Sequence, residues 1–206
     1  MSVRGRFITF EGIDGAGKST HIDFVSDLLR SAGKDIIVTR EPGGTELGEQ
    51  LRALVLTQPM TARTETLLMF AARAEHVTQV IEPAIEQGRW VLCDRFTDAT
   101  YAYQAGGRQL PEALIVSLES WVHPDLQPDL TLLFDLDPVI AAQRLAGARL
   151  ADRFESEQRD FFARVRAAYL ARAAQFPARF FVLDGTAPVD SIRQEITARL
   201  EPWIAS

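Results

Sequence analysis

The sequence predicts an α/β fold: a five-stranded parallel sheet flanked by helices, with a short movable lid. Three observations carry this. Short apolar runs alternate with longer stretches of helical periodicity, the pattern of strands joined by crossover helices. The segment GIDGAGKS at 12–19 matches G-x-x-x-x-G-K-[ST] at every fixed position and stands between an apolar run and an amphipathic one. Each apolar run also ends on polar, charged or Gly-containing residues, and the carboxyl ends of parallel strands are where such sheets gather ligands.

The strands are expected at 7–10, 36–39, 90–93, 130–134 and 180–183. Ile22, Val25, Leu28 and Leu29 give the helix that follows Lys18 its apolar face. Helical spacing places further helices at 46–56, 64–82, 111–122, 138–146, 157–175 and 188–204. Pro188 can open the last of these, because a first-turn proline loses no helical hydrogen bond. The strand ends then bring Gly12 to Ser19, Arg40 to Gly44, Asp94-Arg95, Asp135 and Asp184-Gly185 to one edge of the sheet.

At 206 residues, with no internal repeat or low-complexity linker, the chain is expected to form one domain over 1–206. Residues 146–157, where Arg149, Asp152, Arg153 and Glu155 interrupt the apolar rhythm, are the expected lid. A net charge of −6 argues against a general nucleic-acid binder. No apolar stretch is long enough for a membrane span and no secretory core opens the chain, so a cytoplasmic protein is expected. The single cysteine, Cys93, excludes an intramolecular disulfide, and no Cys or His cluster has zinc-ligand spacing.

The chemistry begins at the glycine loop. Gly12, Gly15 and Gly17 allow successive backbone N–H groups to turn inward on phosphate oxygens, and Lys18 adds a positive charge at a helix N-terminus. Ser19 offers a hydroxyl to Mg²⁺ between the outer phosphates of a nucleoside triphosphate. Asp14 is out of place there: a carboxylate repels phosphate, so it faces either solvent or something other than the triphosphate. Asp94-Arg95 emerges from a buried strand at the same edge, either as a phosphate-gripping guanidinium with its carboxylate or as an ordinary ion pair. Arg40, Arg52 and Arg73 could join Arg95 around a second anion, although singly each reads as a solvated charge. Residues 97–104, TDATYAYQ, interleave hydroxyls, a carboxamide and two rings, a mixture that suits a planar base and its sugar or, more blandly, a helix core. Arg149 and Arg153 are placed to close over transferring phosphates, where water must be shut out and negative charge met. His21, His76 and His123 are scattered, have no nucleophile beside them and are expected to be incidental.

FEGIDGAGKST at 10–20, TREPGGT at 39–45, the Arg-bearing helix at 65–76, DRFTDATYAYQ at 94–104, PDLTLLFDL at 128–136 and DRFE at 152–155 together resemble the bacterial thymidylate kinase family along the whole chain. TREPGGT combined with the DRF and AYQ elements is far more specific than the phosphate loop. The resemblance implies a P-loop nucleotide kinase that turns ATP and dTMP into ADP and dTDP with Mg²⁺, as a homodimer. It implies that ATP is cradled by Gly12, Ile13, Asp14, Gly15, Ala16, Gly17, Lys18, Ser19 and Thr20, with Ser19 on the metal. Asp94 is a candidate for metal-bound water or for orienting Arg95. Asp14 is implied to face the acceptor's sugar, Arg95 and Arg52 to grip the dTMP phosphate, and Arg73 to contact thymine. Thr100 and Gln104 become readers of the base edge, Tyr103 lies against the deoxyribose, and Arg153 is a lid arginine. Two positions depart from the pattern. Met69 stands where the family usually has Phe, so Phe70, three residues before Arg73, is the expected thymine neighbour, with Met69 as the alternative. Ala146 and Ala148 leave the lid less basic, and Arg149 is expected to compensate. The competing readings are another nucleoside monophosphate kinase and an ATP-driven switch. A guanine-dependent switch is excluded, because an N-K-x-D reader needs asparagine and the chain has none.

Overall fold

The computed structural model describes residues 4–146 and 153–205, and of 146 and 153–158 the backbone alone. β1 (Phe7–Glu11), β2 (Ile36–Arg40), β3 (Trp90–Asp94), β4 (Leu130–Asp135) and β5 (Phe180–Asp184) form one parallel sheet in the order β2-β3-β1-β4-β5. All five expected strands are present. Each runs one residue past its apolar run, onto Glu11, Arg40, Asp94, Asp135 or Asp184, so a charged residue closes every strand. Side-chain polarity ends the apolar signal there, while the backbone ladder continues for one more pair, as in Phe10 with Asp94 and Asp135 with Asp184.

The central strand β1 is buried at every position, whereas the edge strands β2 and β5 are partly exposed. A strand covered on both faces reads as continuously apolar, which is why FITF and LTLLF carry no alternation. On one face α1 (Lys18–Ser31), α8 (Arg153–Gln175) and α9 (Val189–Ile204) contribute Val25, Leu29, Tyr169, Ile192 and Ile196 to a core with Ile8, Phe10 and Leu132. On the other, Val77, Ile81 and Ile85 cover Phe7, Val91 and Cys93. Each such side chain removed from water contributes about 1.5–3 kcal/mol.

The remaining helices are α2 (Glu46–Thr57), α3 (Ala62–His76), α4 (Glu82–Glu86), α5 (Thr97–Thr100), α6 (Glu112–Val122) and α7 (Pro138–Ala146). Two segments widen into π-helical turns, Val77–Ile81 between α3 and α4 and Tyr101–Gly107 after α5. The expected helix at 64–82 is therefore a longer helical run with a wide turn in it. That turn directly precedes Pro83, which cannot donate to a regular α-ladder. Thr45 caps α2 by accepting the Gly48 N–H at 3.0 Å. α8 starts four residues earlier than its periodicity indicates, and Pro188 sits just before α9 rather than in its first turn.

With β3 and β4 on opposite sides of β1, the chain leaves the centre of the sheet in two directions. That is the switch point at which a crevice opens beyond the strand ends. Among the described residues no helix is long and apolar enough to cross a membrane.

Candidate functional site

The loop from Gly12 to Gly17 joins β1 to α1 at this switch point. Gly12, Gly15 and Gly17 adopt φ of 132°, 82° and 96°, a region closed to most side chains. At Gly12 space forbids a side chain as well: a Cβ would stand 2.6 Å from the Phe134 carbonyl oxygen. Lys18 is buried at the foot of the loop, and its Nζ donates to the carbonyls of Gly12 and Ile13 at 3.1 and 3.3 Å. Burial, and then the Arg95 guanidinium, push its pKa down to about 8. Phosphate oxygens against the ammonium oppose both effects. Ser19 and Thr20 are exposed at the start of α1.

Asp14 projects from this loop, and the Arg95 Nη2 donates to its Oδ1 at 2.8 Å. Partial burial raises the Asp14 carboxyl, yet Arg95 and Lys18 together hold it below its usual range. The ion pair joins the glycine loop to Arg95, the residue that follows β3. Arg95 itself has φ of 71°, costly for a residue with a side chain. The end of β1 pins the backbone on both sides of it. Arg95 N–H donates to the Phe10 carbonyl at 3.0 Å, and Phe96 N–H donates to Glu11 Oε1 at 2.7 Å. The guanidinium lies 4.8 Å from the centre of the Tyr103 ring, and Nη1 donates to the Tyr169 hydroxyl at 3.3 Å.

Glu11 carries a role that sequence reasoning missed. Its second oxygen accepts the Tyr169 hydroxyl at 2.7 Å, and the residue is fully buried. Burial, with Asp98 adding to it, raises its pKa to about 8 against the opposing pull of Arg95. The available signal was a carboxylate continuing the run FITF, a position where only a partnered charge is tolerated.

From Asp14 a cleft of about 260 Å³ extends over the ends of β2 and β3, near the small end of ligand sites at about 300 Å³. Arg52, Arg73, Arg95, Thr100, Tyr103 and Gln104 line it with Asp14, as do Arg40 and Asp94. Phe70 does not. The cleft wall holds Met69, the alternative, while Phe70 turns into a cluster with Tyr101 and Ile115. The two neighbours point about 100° apart on the helix, and the larger ring takes the core side, from where it backs the Arg73 guanidinium at 4.6 Å.

Arg73 is held by Glu41, which accepts from Nε at 2.7 Å, and by Thr100, whose hydroxyl accepts from Nη2 at 3.1 Å. The Nη1 is buried without a partner among the described residues. Burial alone would raise the Glu41 carboxyl, but Arg73 and His76 keep it below the ordinary value. His76 Nδ1 donates to Glu41 at 2.9 Å, and its Nε2 meets the Thr39 hydroxyl at 2.7 Å. This histidine is therefore not incidental. Gly44 is required beside it, since a Cβ there would come within 2.5 Å of the imidazole. Thr97 and His123, 2.7 Å apart, tie α5 to the end of α6, and His21 bonds back to Gly17.

Beyond β4 and β5 the same edge carries Arg144, which donates to the Gly185 carbonyl at 2.9 Å, and Arg166, which spans Asp135 and Asp137. Neither arginine was singled out from the sequence, because each is one charge among many on its helix. Arg149 lies outside the described residues, as do the rest of the lid at 147–152 and the side chain of Arg153.

The donor set fits Mg²⁺. Asp94 has a buried Oδ1 with no partner among the described residues, Ser19 offers an exposed hydroxyl, and among the described residues no group of three His, Cys, Asp or Glu gathers. That combination suits a hard cation that keeps its waters and shares substrate phosphates rather than one caged by protein.

A glycine loop at a helix start, tied by an ion pair to a cationic cleft walled by hydroxyls, an amide and a ring, defines the P-loop nucleoside monophosphate kinases. The family model for thymidylate kinase matches residues 10–196. Thymidylate kinase of Bordetella petrii is 60% identical over 201 residues, covering 98% of this chain and 97% of that protein. The enzyme of Cupriavidus necator is 60% identical over 196 residues, covering 94% and 97% respectively. The crystal structure of thymidylate kinase from Ehrlichia chaffeensis superposes with a TM-score of 0.80 at 32% identity, covering 96% of this chain and 99% of that one. The chain belongs to the thymidylate kinase family.

Proposed function

We propose that this chain transfers the γ-phosphoryl group of ATP to the phosphate of dTMP, giving dTDP for dTTP synthesis, and that it does so as a single domain with a closing lid. One observation carries the reading: the Asp14–Arg95 contact at 2.8 Å makes the triphosphate loop and the arginine cleft one continuous site. Two nucleotides laid end to end would bring their phosphates together beside Arg95, with Asp14 turned to the acceptor's sugar. Lys18 and the loop N–H groups bind the donor phosphates. Arg95 and Arg52 hold the acceptor phosphate, with Arg52 steadied through its bond to the Pro42 carbonyl at 2.9 Å. Arg73, Thr100 and Gln104 read the base, Met69 flanks it, and Tyr103 bounds the sugar. Mg²⁺, when held by Ser19 and the Asp94 carboxylate, supplies positive charge to the bridging and outer phosphate oxygens. The acceptor phosphate is already an anion, so positioning and charge suffice and no side chain need remove a proton. Arg149 and Arg153 exclude water and add charge as the lid closes.

A homodimer in the cytoplasm completes the proposal. Leu47, Leu54 and Leu56 of α2, Leu67 of α3, and Leu114 and Trp121 of α6 are exposed. Their helices pack α2 on α3 and α3 on α6, which suits an apolar face covered by a second copy.

The test is ADP release coupled to acceptor, with dTMP, dUMP, dCMP and dGMP compared. The expected result is rapid turnover that depends on an acceptor and prefers dTMP. Slow hydrolysis indifferent to acceptor would indicate a switch, and preference for another monophosphate would overturn the substrate.

A further inference from the structure

Gln104 raises a question that its neighbour answers. A carboxamide can turn either face to a ligand, so a glutamine alone does not distinguish a base that donates at N3 from one that accepts there. Here the Gln104 Nε2 donates to Glu65 Oε1 at 2.7 Å, in a residue only 4% exposed. An ionised carboxylate can only accept, so the face of Gln104 turned to Glu65 must be its NH₂. The Arg108 guanidinium stands 3.4 Å from the second oxygen of Glu65. The carbonyl oxygen of Gln104 is left for the cleft that the residue lines. Across the same cleft Arg73 has only donors, one of them, Nη1, buried and without a partner among the described residues.

We propose that Glu65 is a specificity-determining positioning residue: by locking the Gln104 amide, it makes the cleft present an acceptor beside a donor. That pair is the complement of an imide edge, with N3–H and C4=O. It mismatches the cytosine edge, where N3 accepts and the 4-amino group donates. Discrimination against the amino-pyrimidine then arises in α3, from a residue that does not touch the base, and a mismatched edge leaves two buried groups unpaired. The inference rests on the reading of the cleft as a pyrimidine monophosphate site.

The sharpest probe is dTMP against 5-methyl-dCMP, which share the methyl group and differ only at N3 and C4. Glu65→Gln can donate as well as accept, so it frees the Gln104 amide to turn. The ratio of kcat/KM for the two substrates is expected to narrow at least tenfold, mostly through improved use of 5-methyl-dCMP, while Glu65→Asp, still acceptor-only, keeps more of the parent ratio. Equal losses on both substrates, or a ratio within twofold of the parent, would overturn the proposal. If Glu65→Gln is unstable, the parent protein decides: the Gln104 side-chain NH₂ resonances should be protected from exchange and nearly unmoved when dTMP binds. A large shift of those protons would mean that they meet the base. If the parent enzyme turned over neither nucleotide, the pyrimidine reading would fail instead, whatever the variants did.

Discussion

Over the ends of β2 and β3, the buried Glu41 is shared by Arg73 and His76, the buried His76 also holds Thr39, and the partly buried Glu65 holds the buried Gln104. Over β4 and β5, the charges are half exposed. Arg166 bonds to the partly exposed Asp135 and Asp137, and the exposed Arg144 bonds to the Gly185 carbonyl. On the proposed reading the first region presents fixed donors and acceptors to a planar edge, and a fixed direction requires partners that water cannot replace. The second lies beside the glycine loop, where charge and backbone N–H groups suffice and orientation matters less. Rigidity is concentrated where recognition needs it.

The junction of the two regions should show the largest effect. Lys18→Ala is expected to lower turnover by about 10³ or more with an unchanged unfolding temperature, since no other ammonium serves the loop; activity within tenfold of the parent would remove Lys18 from the phosphates. Next comes Arg73→Ala, which removes the guanidinium from the buried Glu41 carboxylate and leaves it His76 alone. About 3–5 kcal/mol of stability should be lost in urea unfolding and KM for dTMP should rise. Arg166→Ala, its counterpart in the exposed region, should cost under about 1 kcal/mol. Equal losses would abolish the contrast between the two sides.

Glu11, beneath the junction, makes the third prediction. Its folded pKa of about 8 stands above the ordinary carboxyl value of 4.5, so between those limits the native state binds more protons than the unfolded chain. The Glu11 contribution to stability is therefore present below about pH 4.5 and is lost as pH rises to about 8, at up to roughly 1.4 kcal/mol per unit. Glu11→Gln can still accept the Phe96 N–H and donate to Tyr169 but does not titrate. Its unfolding temperature relative to the parent should climb from pH 5 to pH 8, and a constant difference would contradict the raised pKa. The smallest effect belongs to Arg144→Ala, within about 0.5 kcal/mol of the parent in stability and within twofold in kcat/KM for dTMP. A larger dTMP effect would mean that the exposed side also orients the acceptor.

Much of the site was legible before the fold was. The loop at 12–19, Arg95, Thr100 and Gln104 stand in contiguous motifs that the sequence displays whole. The choice between Phe70 and Met69 was not legible because helical spacing says which residues share a face but not which of two adjacent side chains the core will claim, and the role of His76 was not because its partner Glu41 lies 35 residues away. Glu11 and Glu65 were overlooked for a related reason: each acts on a partner distant in sequence, Tyr169 and Gln104, and neither partner reveals it alone.

The chain's own order of apolar runs, glycines and charges determined the α/β architecture, the parallel strands and the edge where ligands gather, because periodicity and backbone sterics are local properties. Which way each functional group faces was decided by tertiary packing. The left-handed Arg95, the caged Arg73 and the locked amide of Gln104 all depend on hydrogen bonds across the fold, whose energies matter only once water has been excluded around them.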